Sequence, residues 1–200
     1  MKTGNGKTGR PISFDKDAAL EAAMLLFWER GYEGTSMADL TQAMGLNPSS
    51  IYAAFGDKHA LFSVAVKRYM QIRAQYATKA LAEPTLEKVI RALFDNTVAF
   101  LTTPGHPPTC MTLAGAMGCS VDAAPARDLL TRIRKRNQVA IRERLRKARK
   151  NGELSKDISV DDYTRYLSSI LAGLSVQAAN GSTKAELKRT ADMALRHLGY

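Results

Sequence analysis

Side chains that can bind nucleic acid occur close together between residues 35 and 58 of this 200-residue chain. Base edges in the major groove are read by side chains that form hydrogen bonds, and by small apolar ones that touch a thymine methyl group. Phosphate oxygens accept hydrogen bonds from hydroxyls, ammonium groups and the free amides at a helix start. The candidate DNA-binding residues here and in the preceding chain are Arg10, Thr35, Ser36, Asn47, Pro48, Ser49, Ser50, Tyr52, Ala53 and Lys58.

The middle of this stretch has the composition of a helix that enters the major groove. Ser49 and Ser50 can bond to bases or phosphates, and Ala53 can lie against a thymine methyl group. We expect Tyr52 to give its hydroxyl to a phosphate. No Arg, Asn or Gln lies on this face apart from Asn47 at the helix cap. Specificity is therefore expected to depend on apolar contacts, water, the N-terminal arm that carries Arg10, and DNA shape.

Three further residues are candidates for holding the DNA backbone. Thr35 and Ser36 combine hydroxyls with unpaired amides at a predicted helix start, which is a phosphate-binding arrangement. Lys58 opens a later predicted helix, where its ammonium group and the helix end can act on one phosphate. The alternatives are a plain N-cap for Ser36, which is compatible with the first role, and a solvated lysine for Lys58.

Residues 1–13 are rich in Gly, Lys and Thr and are predicted to form a flexible arm. Arg10, near the end of this arm, can reach a minor groove beside the site that the helix reads. The alternative is a tail that touches only phosphates. The two interpretations of Arg10 remain open.

Local signals predict that the candidate residues lie on two short helices. Ser36 is a cap for the first, Asp39 completes an acidic variant of the capping box, and Gly45 ends the helix. Asn47 caps the second helix, which Gly56 ends. Two short helices joined by a tight turn that contains Gly are typical of a helix-turn-helix, whose second helix lies in the DNA major groove.

Apolar residues at helical spacing continue through the chain, with no β signal and no internal repeat. The pattern predicts a first helix over 15–30, with Trp28 in the core, and a long fourth helix over 57–82. Later helices are predicted over 85–102, 126–150, 161–179 and 183–198. The predicted fold is all-α with about nine helices. Its predicted parts are the arm (1–13), the helix-turn-helix domain (14–58) and a C-terminal helical bundle (59–200), with the fourth helix as the link.

A set of spaced positions from residue 27 to residue 62 resembles the DNA-binding domain of one known family. The matching positions are Phe27-x-x-x-Gly31-Tyr32-x-x-Thr35-Ser36 and Gly45-x-x-x-x-Ser50-Ile51-Tyr52-x-x-Phe55-Gly56-x-Lys58-x-x-Leu61-Phe62. This pattern is similar to the N-terminal domain of the TetR family of transcriptional regulators. The resemblance implies a repressor that binds double-stranded operator DNA and a small-molecule effector. It also implies a homodimer through residues 161–198, and a pivot of the fourth helix that alters the spacing of the two recognition helices.

The family resemblance places the effector site within the C-terminal helices. The candidate ligand-binding residues are Phe94, Val98, Leu101, Met111, Leu113, Met117 and Tyr166. The stretch 110–119 is the preferred part, because Met side chains repack around varied ligands. Each of these residues, taken singly, is also typical of an ordinary core.

Cys110 and Cys119 are the only cysteines. They are nine residues apart and would face opposite sides of one helix, so they cannot form a disulfide without rearrangement. Buried, inert thiols are the favoured interpretation, and a redox- or electrophile-sensing regulator is the alternative. A metal site of His106 with these cysteines is weakly supported, and we predict no metal or cofactor.

The net charge of +10 is not located at the predicted helix-turn-helix. Up to Lys58 there are six Lys and Arg against seven Asp and Glu, whereas residues 127–150 contain eleven against two. Such a run is usually a solvated helix face. It can also bind an anionic effector or add a second, nonspecific DNA contact, and the total charge suggests a nonspecific DNA-binding protein as an alternative function.

Several other classes lack support in the sequence. No run approaches the roughly 18 uncharged apolar residues of a membrane-spanning helix, and the N-terminus lacks the apolar segment of a signal peptide. We therefore expect a cytoplasmic protein that does not bind membranes. The chain has no nucleophile–base set, phosphate loop or metal constellation, so we do not expect an enzyme.

Overall fold

The computed structural model describes residues 14–72, 74–114 and 120–199. Within these ranges every regular element is a helix, which confirms the predicted all-α class. The predictions for the arm, Arg10, Met117 and Cys119 fall on residues outside these ranges. The helices are α1 Lys16–Arg30, α2 Met37–Met44, α3 Pro48–Phe55, α4 Lys58–Ile72, α5 Gln75–Leu81, α6 Leu86–Leu101, α7 Met111–Ala114, α8 Ala124–Lys150, α9 Val160–Ala179 and α10 Lys184–His197.

Side-chain caps fix most helix starts where the sequence predicts them. The Ser36 hydroxyl accepts a hydrogen bond from the Asp39 amide, and the Asp39 carboxylate accepts one from the Ser36 amide, which confirms the capping box. Asn47 Oδ1 accepts from the Ser50 amide at 2.8 Å. Gly45 adopts φ +63°, a left-handed conformation that ends α2. These caps depend only on neighbouring residues, so a sequence can specify them directly.

The prediction of one long fourth helix over 57–82 is wrong. The chain forms α4 and a separate α5, and the Ala74 amide bonds to the carbonyl of Tyr69, five residues earlier. Helix α5 packs along α6, where Ala80 is buried against Val89 and Leu93. With the short α7, the described residues therefore hold ten helices instead of about nine.

The apolar core is continuous from α1 to α10. Trp28 of α1 is fully buried, as predicted, and its rings stack on Phe100 and on His106. Its indole N–H donates to the carbonyl of Thr109 at 2.8 Å. Helix α1 also packs against α2, α4 and α7, so the helix-turn-helix and the larger bundle share one core. No helix in the described part of the chain is long and apolar enough to span a membrane.

Candidate DNA-binding surface and internal cavity

Helices α2 and α3 pack through one side and leave the other side of α3 open. Leu40, Met44, Ile51 and Phe55 are buried. Ala43, one residue before Met44, is exposed. The exposed residues of α3 include four of the DNA-binding candidates, Pro48, Ser49, Tyr52 and Ala53, and Ser50 is half-buried beside them.

The cap of α3 orders the start of this open face. Asn47 is exposed, and its Oδ1 accepts from the Ser49 hydroxyl as well as from the Ser50 amide, both at 2.8 Å. The two serines are therefore held in fixed positions at the first turn. Small side chains in this arrangement leave the helix backbone free to approach a groove.

Thr35 and Ser36 are neighbours in sequence but differ in the structure. Thr35 is fully buried, and its hydroxyl donates to the carbonyl of Gly31 at 2.7 Å. The expected phosphate contact of its side chain is therefore wrong, because that hydroxyl is enclosed and already bonded. Ser36 is exposed and donates its hydroxyl to the Asp39 carboxylate at 2.5 Å. Hydrogen bonds from Ser36 are the main reason why the pKa of Asp39 lies below its usual value.

Lys58 opens α4, as predicted, and is half-buried. Its ammonium nitrogen lies 4.4 Å from the ring centroid of Tyr32, a cation–π arrangement. Partial burial lowers the pKa of Lys58, and the charges of Glu33 and Asp39 act in the opposite direction. Tyr32 belongs to the spaced pattern of residues 27–62, but nothing in that pattern indicates that its ring positions this lysine.

A cavity of about 590 Å³ lies between parts of α4 to α9 and opens to solvent beside exposed lining residues such as Gln71 and Arg136. Of the candidate ligand-binding residues that the structure describes, only Leu113 lines it. Phe94, Val98, Leu101 and Met111 are buried core residues elsewhere, and Tyr166 lies on the outer side of α9 near His197. The cavity instead meets the flank of α6 that carries Leu93 and Thr97, because this flank faces α5.

One wall of the cavity carries a chain of polar contacts. The Tyr69 hydroxyl donates to Cys110 Sγ at 3.4 Å, and this sulfur lies 3.1 Å from the hydroxyl of Thr112. The carbonyl of Thr112 accepts from Arg134, whose guanidinium also donates to the Thr131 hydroxyl at 2.8 Å. All of these except Thr131 line the cavity.

Two tyrosines contribute to this cavity, Tyr69, which is buried, and Tyr76, which is partly buried. Burial is the main cause that raises the pKa of both phenols well above the ordinary value, so each hydroxyl stays protonated near neutral pH. Periodicity placed both residues on the apolar stripe of one helix. The sequence therefore gave no signal that their hydroxyls meet a cavity.

The basic residues of α8 have different surroundings. Arg134 lines the cavity, whereas Arg144 is buried and donates to the carbonyls of Glu83 and Pro84 at 3.3 Å. The exposed basic residues of this helix are Arg127, Arg132, Lys135, Arg136, Arg146, Lys147 and Lys150. Most of the basic residues of α8 therefore form a solvated face, whereas Arg134 and Arg144 have specific internal positions.

A helix-turn-helix with an open polar face, joined through α4 to a bundle that contains a cavity, defines a DNA-binding transcriptional regulator. Residues 19–65 match the family model described as bacterial regulatory proteins, tetR family. Residues 86–194 match the tetracyclin repressor-like C-terminal domain. The chain belongs to the TetR family of transcriptional regulators.

Relatives and solved structures agree over nearly the whole chain. The transcriptional repressor ComR of Escherichia coli K12 is 30% identical over 190 residues, covering 94% of this chain and 90% of ComR. The repressor BdcR of the same strain is 29% identical over 188 residues, covering 93% and 90%. A cysteine-substituted form of the TetR regulator CifR, complexed with 26 bp operator DNA, is 35% identical with a TM-score of 0.89, covering 94% and 98%.

Proposed function

We propose that this chain is a homodimeric repressor that leaves its operator DNA when a small molecule occupies the cavity. The observation that carries this proposal is the open polar face of α3 at one end of α4, with the cavity against the other part of α4. The relatives ComR and BdcR are named repressors, and the cysteine-substituted CifR is complexed with operator DNA. Such a regulator acts on cytoplasmic DNA and binds its effector without chemical turnover.

The exposed residues divide into two expected roles on DNA. Ser49, Ser50 and Ala53 would face base edges, and Pro48 would let the start of α3 approach them. The remaining exposed or half-buried candidates would fix the position of the protein on phosphates, together with Arg10 of the arm, and they are Ser36, Asn47, Tyr52 and Lys58. Both ends of the recognition helix would then be held.

Three contacts support a path from the cavity to the DNA-binding helices. Tyr69 and Met70 of α4 line the cavity, and the same helix starts at Lys58. The indole N–H of Trp28 donates a hydrogen bond to the carbonyl of Thr109, which precedes the cavity residue Cys110 in the sequence. The Glu33 carboxylate accepts from the Ser120 amide at 3.1 Å. A ligand that shifts the cavity wall would therefore shift α4 and α1, and with them the spacing of the two recognition helices.

The outer faces of α9 and α10 support a homodimer. Val176 is 49% exposed, Met193 is 64% exposed, and Tyr166 is exposed on the same part of the molecule. An isologous pairing of these two helices with their copies would cover these apolar side chains. It would also set the two α3 helices at a spacing near one DNA turn, about 34–36 Å.

DNase footprinting on DNA upstream of the chain's own gene tests the proposed function. We expect a protected site with two symmetric halves that persists against excess random DNA. A nonspecific DNA-binding protein would instead bind any duplex equally with a steep salt dependence, and would leave no footprint. That outcome would overturn the proposal in favour of the alternative that the net charge suggests.

A thiol-based trigger is the second candidate, because Cys110 lines the cavity and its sulfur accepts a hydrogen bond from Tyr69 of α4. Alkylation of this thiol would break that bond and displace α4. If this trigger operates, N-ethylmaleimide releases the wild type from DNA, the Cys110→Ser variant resists release, and the matched Cys119→Ser variant is released normally. Release of all three proteins to the same extent would exclude Cys110 as the trigger.

A further inference from the structure

The charged groups that line the cavity share one sign. The described lining residues include Arg134 and Arg136 and contain no Asp or Glu. Arg136 is exposed at the rim, whereas Arg134 is half-buried. Its guanidinium is anchored to the carbonyl of Thr112 and to the hydroxyl of Thr131, so the positive charge has a fixed position in the wall.

The remainder of the lining is largely apolar. Leu93 of α6, Ile141 of α8 and Leu171 of α9 face the cavity from three different helices. A volume of about 590 Å³ lies within the range of small-molecule sites. The cavity therefore offers a charged position on one wall and apolar surface on the others.

We propose that the cavity binds an organic anion, with its acidic group paired to Arg134 and its apolar body among Leu93, Ile141 and Leu171. The inference rests on the proposed function, and it adds the chemical class of the effector. A half-buried guanidinium offsets the cost of removing an anion from water, and a carboxylate can approach it with charge-assisted hydrogen bonds. A cation in the same place would lie beside a like charge with no carboxylate among the described lining residues.

The protonated phenols of Tyr69 and Tyr76 are compatible with this ligand class. A phenol donates hydrogen bonds as long as it keeps its proton, and burial keeps both in that form. An anion that reaches this end of the cavity would therefore meet no second negative charge from these two phenols.

Calorimetric titration of the full-length wild type with octanoate, octanol and octylamine at pH 7.5 tests the inference. The three probes share one apolar body and differ in charge. We expect octanoate to bind about tenfold more tightly than octanol, and octylamine to bind most weakly. Octanol that binds as tightly as octanoate, or octanoate that fails to bind at millimolar concentration, would overturn the inference.

Variants on α8 locate the charge that is responsible. Arg134→Gln is expected to remove the preference for octanoate, while Arg134→Lys keeps most of it. Arg132→Gln removes one charge from an exposed position that does not line the cavity, so it should keep the full preference. An unchanged preference in a folded Arg134→Gln protein would contradict the inference, and the wild-type series decides it even if that variant fails to fold.

These titrations contain no DNA, so they separate the inference from the proposed function. Octanoate preference without any footprint would support the anion site and overturn the repressor proposal. A footprint without octanoate preference would support the repressor proposal and overturn the anion site.

Discussion

Lys58 is held over the ring of Tyr32 at the start of α4, which makes it a defined cation beside the recognition helix. We predict that Lys58→Ala weakens binding to operator and random DNA alike, because a phosphate contact carries no sequence information. The slope of log affinity against log salt concentration should fall by about 1. Fluorescence anisotropy with both duplexes at several salt concentrations measures both effects.

Lys67→Ala is the matched control for Lys58. Lys67 is exposed on the same helix, about 13 Å further along at the usual rise per residue, so the control removes the same charge at a distance from α3. Its affinity should stay close to that of the wild type. Wild-type affinity of Lys58→Ala for both duplexes would show that Lys58 is a solvated lysine.

Ionisation of the Glu153 carboxyl group makes the free energy of unfolding depend on pH. Its carboxylate accepts from the Leu86 amide at 2.5 Å and lies 4.0 Å from Arg144. The Leu86 hydrogen bond is the main cause that lowers the pKa of Glu153 below its ordinary 4.5. A depressed pKa in the folded state stabilises the protein above the unfolded pKa, and this stability is lost as the pH falls through the folded pKa.

We therefore predict a pH-dependent effect of Glu153→Gln. The variant should be less stable than the wild type by about 1 kcal/mol at neutral pH, and the difference should shrink toward pH 3. Urea unfolding at several pH values measures it. Glu143→Gln is the control, since Glu143 pairs with Arg146 on the exposed surface. A difference in unfolding free energy that is constant with pH would argue against the ionised contact.

Single residues also show which structural features can be predicted from the sequence and which cannot. Ser36 and Thr35 are both hydroxyl residues before a predicted helix, yet only the structure shows that Thr35 is enclosed. The DNA face was predictable because caps and helix periodicity determine which side of α3 is open. The cavity was not, because Tyr69 and Arg134 meet only after distant helices have packed. Their spacing in the sequence carries no trace of that contact.

Some helix boundaries are determined by neighbouring residues and others by packing against distant helices, and only the first kind was predicted. The starts of α1, α2, α3, α6 and α10 were predicted to within one or two residues, because their caps lie in the neighbouring sequence. The division between α4 and α5 was missed because no Pro or Gly marks it. Packing of α5 on α6 determines that division, and such packing is a property of the assembled bundle.

Helix α1 makes a testable connection between the helix-turn-helix and the bundle. Trp28, the only tryptophan, lies in a core that continues to α10. We predict that Trp28 fluorescence, which reports on α1, and far-UV circular dichroism, which reports on all helices, give coincident urea transitions. An earlier transition in fluorescence would show that residues 14–58 unfold as a separate unit.

Across the whole molecule, the excess positive charge and the proposed DNA-binding residues lie in different regions. The first 58 residues contain one more acid than base, and most of the excess charge lies on α8. The affinity of one protomer for DNA thus depends on a few placed groups rather than on a strong positive field. Two linked protomers on two half-sites would raise the affinity, because the second half-site binds as an intramolecular event.

Gly173 offers a direct test of that assembly. It is exposed on α9, and a Cβ atom placed there would meet no atom within 4 Å in the protomer, so Gly173→Arg should fold normally. The arginine would project from the proposed dimer face between Tyr166 and Val176. We predict a mass near 21.9 kDa for this variant and near twice that value for the wild type, measured by light scattering. Ala99→Arg, on an exposed position of α6, is the control and should remain dimeric. Loss of the dimer should also weaken binding to DNA. The loss should be much larger for the full operator than for DNA with a single half-site, because only the operator engages both recognition helices. A dimeric Gly173→Arg protein with wild-type operator affinity would place the dimer interface elsewhere.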